Sequence, residues 1–313
     1  MSRGARVSDI LQIIFNGLFV GSFYALIALG YSMVYGIIKL LNFAHGDIYM
    51  LGAYVGFSLL LAFPNMAALG SFAILIVLIL AMIATGCAGM LIEALAYRPL
   101  RTAPRLSALI TAVGMSFFLE YGVRQFAGPD PMAWPDWARL GSGTWFASIP
   151  GTDIAVTIKY SQLLLMGFAV LLMAALAYYV NGTREGRAMR AIALDQRAAT
   201  LMGVNVNATI SRVFFIGSAL AGAAGVMHGS YYGSITFLMG FLLGLKAFTA
   251  AVIGGIGNLY GAMIGGLLLG LLEAFGTAYF GGEWKDVFAF VFLILFLTLR
   301  PTGILGARVV ERM

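Results

Sequence analysis

Apolar stretches at about 10–38, 47–63, 67–92, 106–127, 160–181, 211–232, 236–253, 258–280 and 286–300 alternate with polar connections along this chain of 313 residues. Several, including 69–91 and 163–180, are nearly free of charge. With their neutral flanks they reach the ~20 residues that a helix needs to cross a bilayer. The pattern predicts an all-α, polytopic integral membrane helical bundle of eight to ten transmembrane helices, some of them broken. It offers no separate soluble domain, so residues 1–313 read as a single transmembrane unit.

Two polar connections interrupt this pattern at length. Residues 128–159 carry Pro129, Pro131 and Pro135, Trp134, Trp137 and Trp145, and little positive charge. The prolines preclude a continuous helix, and the tryptophans suit the headgroup level of a membrane. This is the expected large non-cytoplasmic loop. Residues 184–208 instead form a helix-prone segment dotted with Arg184, Arg187, Arg190 and Arg197 against Glu185 and Asp195. Arginine also clusters at Arg98, Arg101 and Arg105 and at Arg300, Arg308 and Arg312. The excess of positive charge in cytoplasmic loops places all three clusters inside. The first quarter leaves two topologies open. Three plain spans before Arg98 put the start of the chain outside, whereas Arg3 and Arg6 favour inside through a doubled-back segment between Gly30 and Asp47.

Composition fits a lipid-facing molecule: 61% of residues are apolar and 10% charged, against roughly 25% charged in soluble domains. The net charge of +6 is carried by short basic loops between spans, which argues for a membrane surface and against nucleic acid. Apolar sequence after residue 10 is too long for a signal-peptide core and reads as a retained first helix. The single cysteine, Cys87, permits no internal disulfide. Two histidines and one cysteine, far apart, provide no metal-ligand spacing, and no cofactor motif is present. Gly254-Gly255-Ile256-Gly257-Asn258 lacks the Gly-Lys-Ser/Thr ending of a nucleotide loop. No nucleophile stands beside a base, so the chain reads as a non-enzyme.

Two polar breakers inside apolar sequence are the candidate chemistry: Asn42, His45 and Asp47 within NFAHGD, and Gly254, Gly255 and Asn258. Backbone freed by a break in a membrane helix must be buried in protein or face water. Paired interruptions also occur in transporters built from repeats, with the substrate path between them. The first breaker marks either a surface loop or a path; the second serves packing, a path, or both. Glu120 and Arg124, four apart, are placed to pair. Glu93 sits at a helix end beside Arg98, within snorkelling reach of the surface. Lys246 and Glu273 are more isolated intramembrane charges, which makes them functional candidates.

NFAHGD followed by 48–56, AATLMGVN at 198–205 and FFIGSALAGAAGV at 214–226 resemble signatures of branched-chain amino acid permeases of ABC importers, and the resemblance extends from Phe15 to about Leu299. It implies a type II ABC-importer permease fold in the bacterial inner membrane. It also implies a second homologous permease as heterodimer partner, two cytoplasmic ABC ATPases and a periplasmic solute-binding protein. The 184–208 segment would then couple to the ATPase through Arg187, Asp195, Ala199 and Gly203. Alternatives in the solute are urea, short amides and other amino acids. A secondary transporter using Glu273 and an intramembrane enzyme are the alternatives in class.

Overall fold

Each of the nine apolar stretches forms a helix. The computed structural model describes residues 3–69, 71–101, 103–138, 144–148 and 155–306. The apolar helices are α1 (Arg3–Ile38), α2 (His45–Ala62), α3 (Ser71–Ile92), α4 (Arg105–Ala127), α5 (Tyr160–Gly182), α8 (Val206–Tyr232), α9 (Met239–Gly254), α10 (Leu259–Phe280) and α11 (Lys285–Leu299). The polar segment between α5 and α8 supplies α6 (Arg184–Leu194) and α7 (Gln196–Leu201). Among the described residues six helices are long and apolar enough to cross a membrane: α1, α3, α4, α5, α8 and α10. The remaining apolar helices α2, α9 and α11 are shorter, with 18, 16 and 15 residues, and complete the expected nine.

Strands are confined to one end of the bundle. β1 (Met132–Ala133) pairs antiparallel with β4 (Ser234–Ile235), and β2 (Thr144–Ser148) with β3 (Ala155–Lys159). Part of the large loop is therefore a hairpin. The loop also folds inward: Trp134 is buried, packed on Gly229 and near Gly56 and Phe57.

The direction of α1 settles the first quarter. Gln12 donates to the Thr157 carbonyl at 3.1 Å and accepts from the Thr157 amide at 2.9 Å. The start of α1 thus lies at the end that carries the 128–159 loop, opposite the arginine clusters. Three segments before Arg98 are the topology adopted. The doubled-back feature exists as well, in a different form. α1 stops at Lys39, which takes a left-handed conformation (φ 54), and residues 39–44 lead back into the bundle. There α2 begins beside Gly30, roughly 12 Å short of the end of α1 at ~1.5 Å per residue.

Close helix crossings hold the centre. In lipid there is no hydrophobic drive between helices, so small residues that allow backbone contact dominate interfaces. On α10, a Cβ at Gly270 would lie 2.3 Å from the Gly21 amide nitrogen of α1. Where α2 meets α8, one at Gly52 would lie 2.4 Å from the Gly222 Cα. α8 is the most buried span and packs on α1, α2 and α3, whereas α4 is the most exposed.

Candidate functional site

The first break lies inside the protein. Asn42, His45 and Asp47 are 2%, 1% and 0% exposed, which removes the surface-loop reading. Tyr97 donates its hydroxyl to Asn42 Oδ1 at 2.7 Å, while Asn42 Nδ2 has no partner. His45 opens α2 and fills the space left by the absent side chain of Gly30, where a Cβ would lie 2.1 Å from its Nε2. The ring of Tyr31 stands edge-on to it, with centroids 4.8 Å apart. Ser116 of α4 donates its hydroxyl to Asp47 Oδ2, leaving Oδ1 unpartnered beneath Gly240 in the first turn of α9. Asp47 is in the first turn of α2 and against the first turn of α9, so two helix dipoles present their positive ends to it.

The second break is satisfied internally. Asn258 caps α10, accepting from the Gly261 amide at 3.1 Å, and its amide donates to the Leu305 carbonyl at 2.8 Å. The carbonyls of Ile253 and Gly254 accept from the amides of Ile304 and Leu305, each at 2.9 Å. Gly254 packs on Gly261, and Gly255 on Gly303 and Gly306. The two breaks are not brought together. Asp47 meets α9 at Gly240, and Gly254 is roughly 21 Å further along that helix at ~1.5 Å per residue. They share α1 as a neighbour, through Gly30 and Gly36 respectively.

The intramembrane charges sort themselves by partner. Lys246 Nζ lies 3.0 Å from Glu273 Oε1 and 2.5 Å from Asp286, and Tyr24 donates to Glu273 Oε2. Glu273 is thereby charge-compensated. Glu120 and Arg124 do not pair: the Glu120 Oε1 is buried without a partner, and Arg124 lies over the rings of Tyr121 and Phe237. Glu93 does not snorkel. It is fully buried in the π-helical turn Glu93–Tyr97, ion-paired to Arg98 at 2.9 Å and to Arg101, and hydrogen-bonded to Ser211 of α8. Among the described residues no three histidine, cysteine or acidic side chains are grouped for a metal.

At the arginine-rich end, α6 and α7 form an elbow built by its caps. Thr183 accepts from the Gly186 amide at 3.1 Å and starts α6. Asp195 accepts from the Arg197 and Ala198 amides at 2.8 and 3.0 Å and starts α7. Gly203, at φ +83, ends α7, and Asn205 caps α8. The oxygen of Asp195 is thus committed to its own helix. Ala199 faces inward, with its carbonyl accepting from Val204, while Arg187 and Gly203 are exposed.

Three apolar side chains of the elbow, Leu194 and, within AATLMGVN, Leu201 and Met202, are exposed by 90%, 88% and 84%. Helical phase marks one of them. Gly186, Met189 and Ile192 form the buried stripe of α6, and Leu194 falls outside it.

A family model described as branched-chain amino acid transport system / permease component matches residues 13–297. The high-affinity branched-chain amino acid transport system permease protein LivH of Escherichia coli K12 is 45% identical over 303 residues, covering 96% of this chain and 97% of that protein. Its counterpart BraD of Pseudomonas aeruginosa is 46% identical over 306 residues, with the same coverage. The inner membrane ABC transporter permease protein YjfF of Escherichia coli is 27% identical over 263 residues, covering 78% of this chain and 68% of its own. No solved structure matches.

Proposed function

The chain belongs to the family of branched-chain amino acid transport system permease components, and from that membership we propose that it carries leucine, isoleucine and valine inward as a membrane subunit of an ABC importer. It is a multi-pass transport protein of the inner membrane and not an enzyme. It works with other components of an ABC system. Those components are two cytoplasmic ATPases, a second homologous permease and a periplasmic solute-binding protein.

The observation that carries the coupling role is the apolar face of the elbow. Leu194, Leu201 and Met202 are exposed at the arginine-rich end, and burying a side chain of this size is worth ~1.5–3 kcal/mol. An ATPase groove that receives them gains that energy. Asp195 and Gly203 act at a remove, by fixing the start and end of α7. Arg187 is one of several exposed charges of the elbow, together with Arg184, Arg190 and Arg197. On the path side, the first break supplies unpartnered polar groups at Asn42 and Asp47, whereas Gly254, Gly255 and Asn258 act as a hinge of the helix pair α9–α10.

The test is a cysteine at Leu201 in a Cys87→Ala background, with the permease expressed beside its ATPase. A short bifunctional thiol reagent is expected to link the two proteins. Linkage from a control cysteine at exposed Leu171, midway along α5, in place of Leu201 would refute the docking face.

A further inference from the structure

α4 packs mainly on α2 and on the turn Glu93–Tyr97, and the seam between α2 and α4 holds two carboxylates that no cation among the described residues pairs with. Asp47 of α2 and Glu120 of α4 are both buried, and each keeps one oxygen without a partner. Ser116 bonds Asp47 from α4, and Glu120 lies one turn further on the same helix face. Arg124, the nearest cation in sequence, is turned onto the rings of Tyr121 and Phe237. An unpaired carboxylate at membrane depth is expensive and marks a functional site.

Beside these carboxylates, which do not themselves line it, the same two helices flank an apolar cavity of about 710 Å³ that opens outward past the exposed Phe118 and Phe126. Leu51, one turn after Asp47, and Leu119 and Val123, on either side of Glu120, line it together with Val55, Phe118 and Tyr54. The Tyr54 hydroxyl is itself buried and has no partner. The seam thus offers acceptors for a small cation beside a hydrophobic wall.

We propose that the α2–α4 seam is a transit site for the amino acid, with its ammonium group between Glu120 and Asp47 and its branched side chain in the adjoining cavity. An ammonium has three donors, which matches two carboxylate oxygens and the tyrosine hydroxyl. Strong directional groups at one end and apolar contact at the other also describe how small-ligand sites are generally built. The proposal rests on the transport reading above.

The experiment uses the assembled importer in lipid nanodiscs, a diazirine analogue of leucine, ultraviolet activation and peptide mapping by mass spectrometry. Label is expected in 45–62 and 105–127, suppressed by excess leucine. In wild-type protein, leucinol, which keeps the ammonium, is expected to compete, and 4-methylpentanoate, which lacks it, is not. Glu120→Gln is expected to reduce labelling at least tenfold while co-purifying with its partners, and Glu120→Asp to restore part of it. Equal competition by the two analogues, undiminished labelling in Glu120→Gln, or label confined to other helices would overturn the proposal. If wild-type importer, reconstituted in parallel into sealed proteoliposomes, accumulates leucine while the label sits elsewhere, the transit site alone falls. If it accumulates no branched-chain amino acid, the transport reading falls with it.

Discussion

The Ser211 hydroxyl, near the start of α8, donates to the Glu93 carboxylate at the end of α3 across 2.7 Å. Arg98 and Arg101 close on the same carboxylate, and Arg101 also reaches Asn207. Because α8 follows the elbow directly, this clasp ties any movement of α6–α7 to α3. Glu93→Gln keeps the shape and removes the charge, leaving Arg101 without its counter-ion. A loss of about 3 kcal/mol is expected, as for other broken buried pairs. Ser211→Ala removes the hydrogen bond to Glu93 and the one accepted from Arg98, and should cost about 1–2 kcal/mol. Thermal unfolding of the purified complex checks the order: equal midpoints for both variants and wild type would show that the clasp holds nothing.

Asp195 distinguishes a cap from a charge contact. Asp195→Ala deletes the acceptor for two amides of α7 and is expected to cost about 1 kcal/mol locally. Asp195→Asn caps as well and should behave like wild type. Protease sensitivity of the elbow in inside-out vesicles reports the difference. An asparagine variant as sensitive as the alanine variant would mean that the negative charge itself is needed.

At Gly203 the backbone, not the space, is limiting: φ is +83, and nothing lies within 4 Å of where a Cβ would stand. Gly203→Ala forces a left-handed residue with a side chain, at about 1–2 kcal/mol. Gly203→Asn suffers less, since asparagine enters that region more readily. Gly203→Trp adds bulk at the docking face. The expected order of ATP-driven uptake is wild type, then asparagine, alanine and tryptophan, with all four present in the membrane. Full uptake by the tryptophan variant would separate this turn from coupling.

Lys246 is the counter-ion of a buried acid. Lys246→Met leaves Glu273 and Asp286 facing each other without it and should sharply lower the yield of monodisperse protein. Lys246→Met combined with Glu273→Leu should recover much of that yield. Size-exclusion profiles of the two variants decide. A double variant no better than the single one would give Glu273 a role beyond pairing, such as ion coupling.

Helix positions were legible from hydropathy, and the elbow from its arginines and Gly203. What hydropathy conceals is which face of an apolar helix meets protein, since lipid and neighbouring helices select alike. Trp134 reads as an interfacial residue yet lies in the bundle. Glu120 and Arg124 satisfy a helix-pairing rule that holds on a free surface, but Glu120 is buried with Oε1 unpartnered while Arg124 turns onto the Tyr121 and Phe237 rings. The two breaks look equivalent in sequence. Only Ile304 and Leu305, near the far end of the chain, show that one of them is closed by backbone bonds. Leu201 and Met202 lie in the AATLMGVN stretch that sequence singles out, whereas the exposure of Leu194 is hidden among so many apolar residues.

Uptake of radiolabelled leucine into proteoliposomes containing the permease pair, both ATPases and the binding protein tests the account most directly. Wild-type protein should accumulate leucine when ATP is inside and not when an ion gradient alone is imposed. The variant carrying Leu201→Asp and Met202→Asp should reach the membrane, retain its thermal midpoint and lose at least nine-tenths of that uptake, in keeping with on the order of 1.4 kcal/mol per factor of ten in coupling. Accumulation driven by the gradient without ATP, or undiminished uptake by the doubly substituted protein, would contradict it.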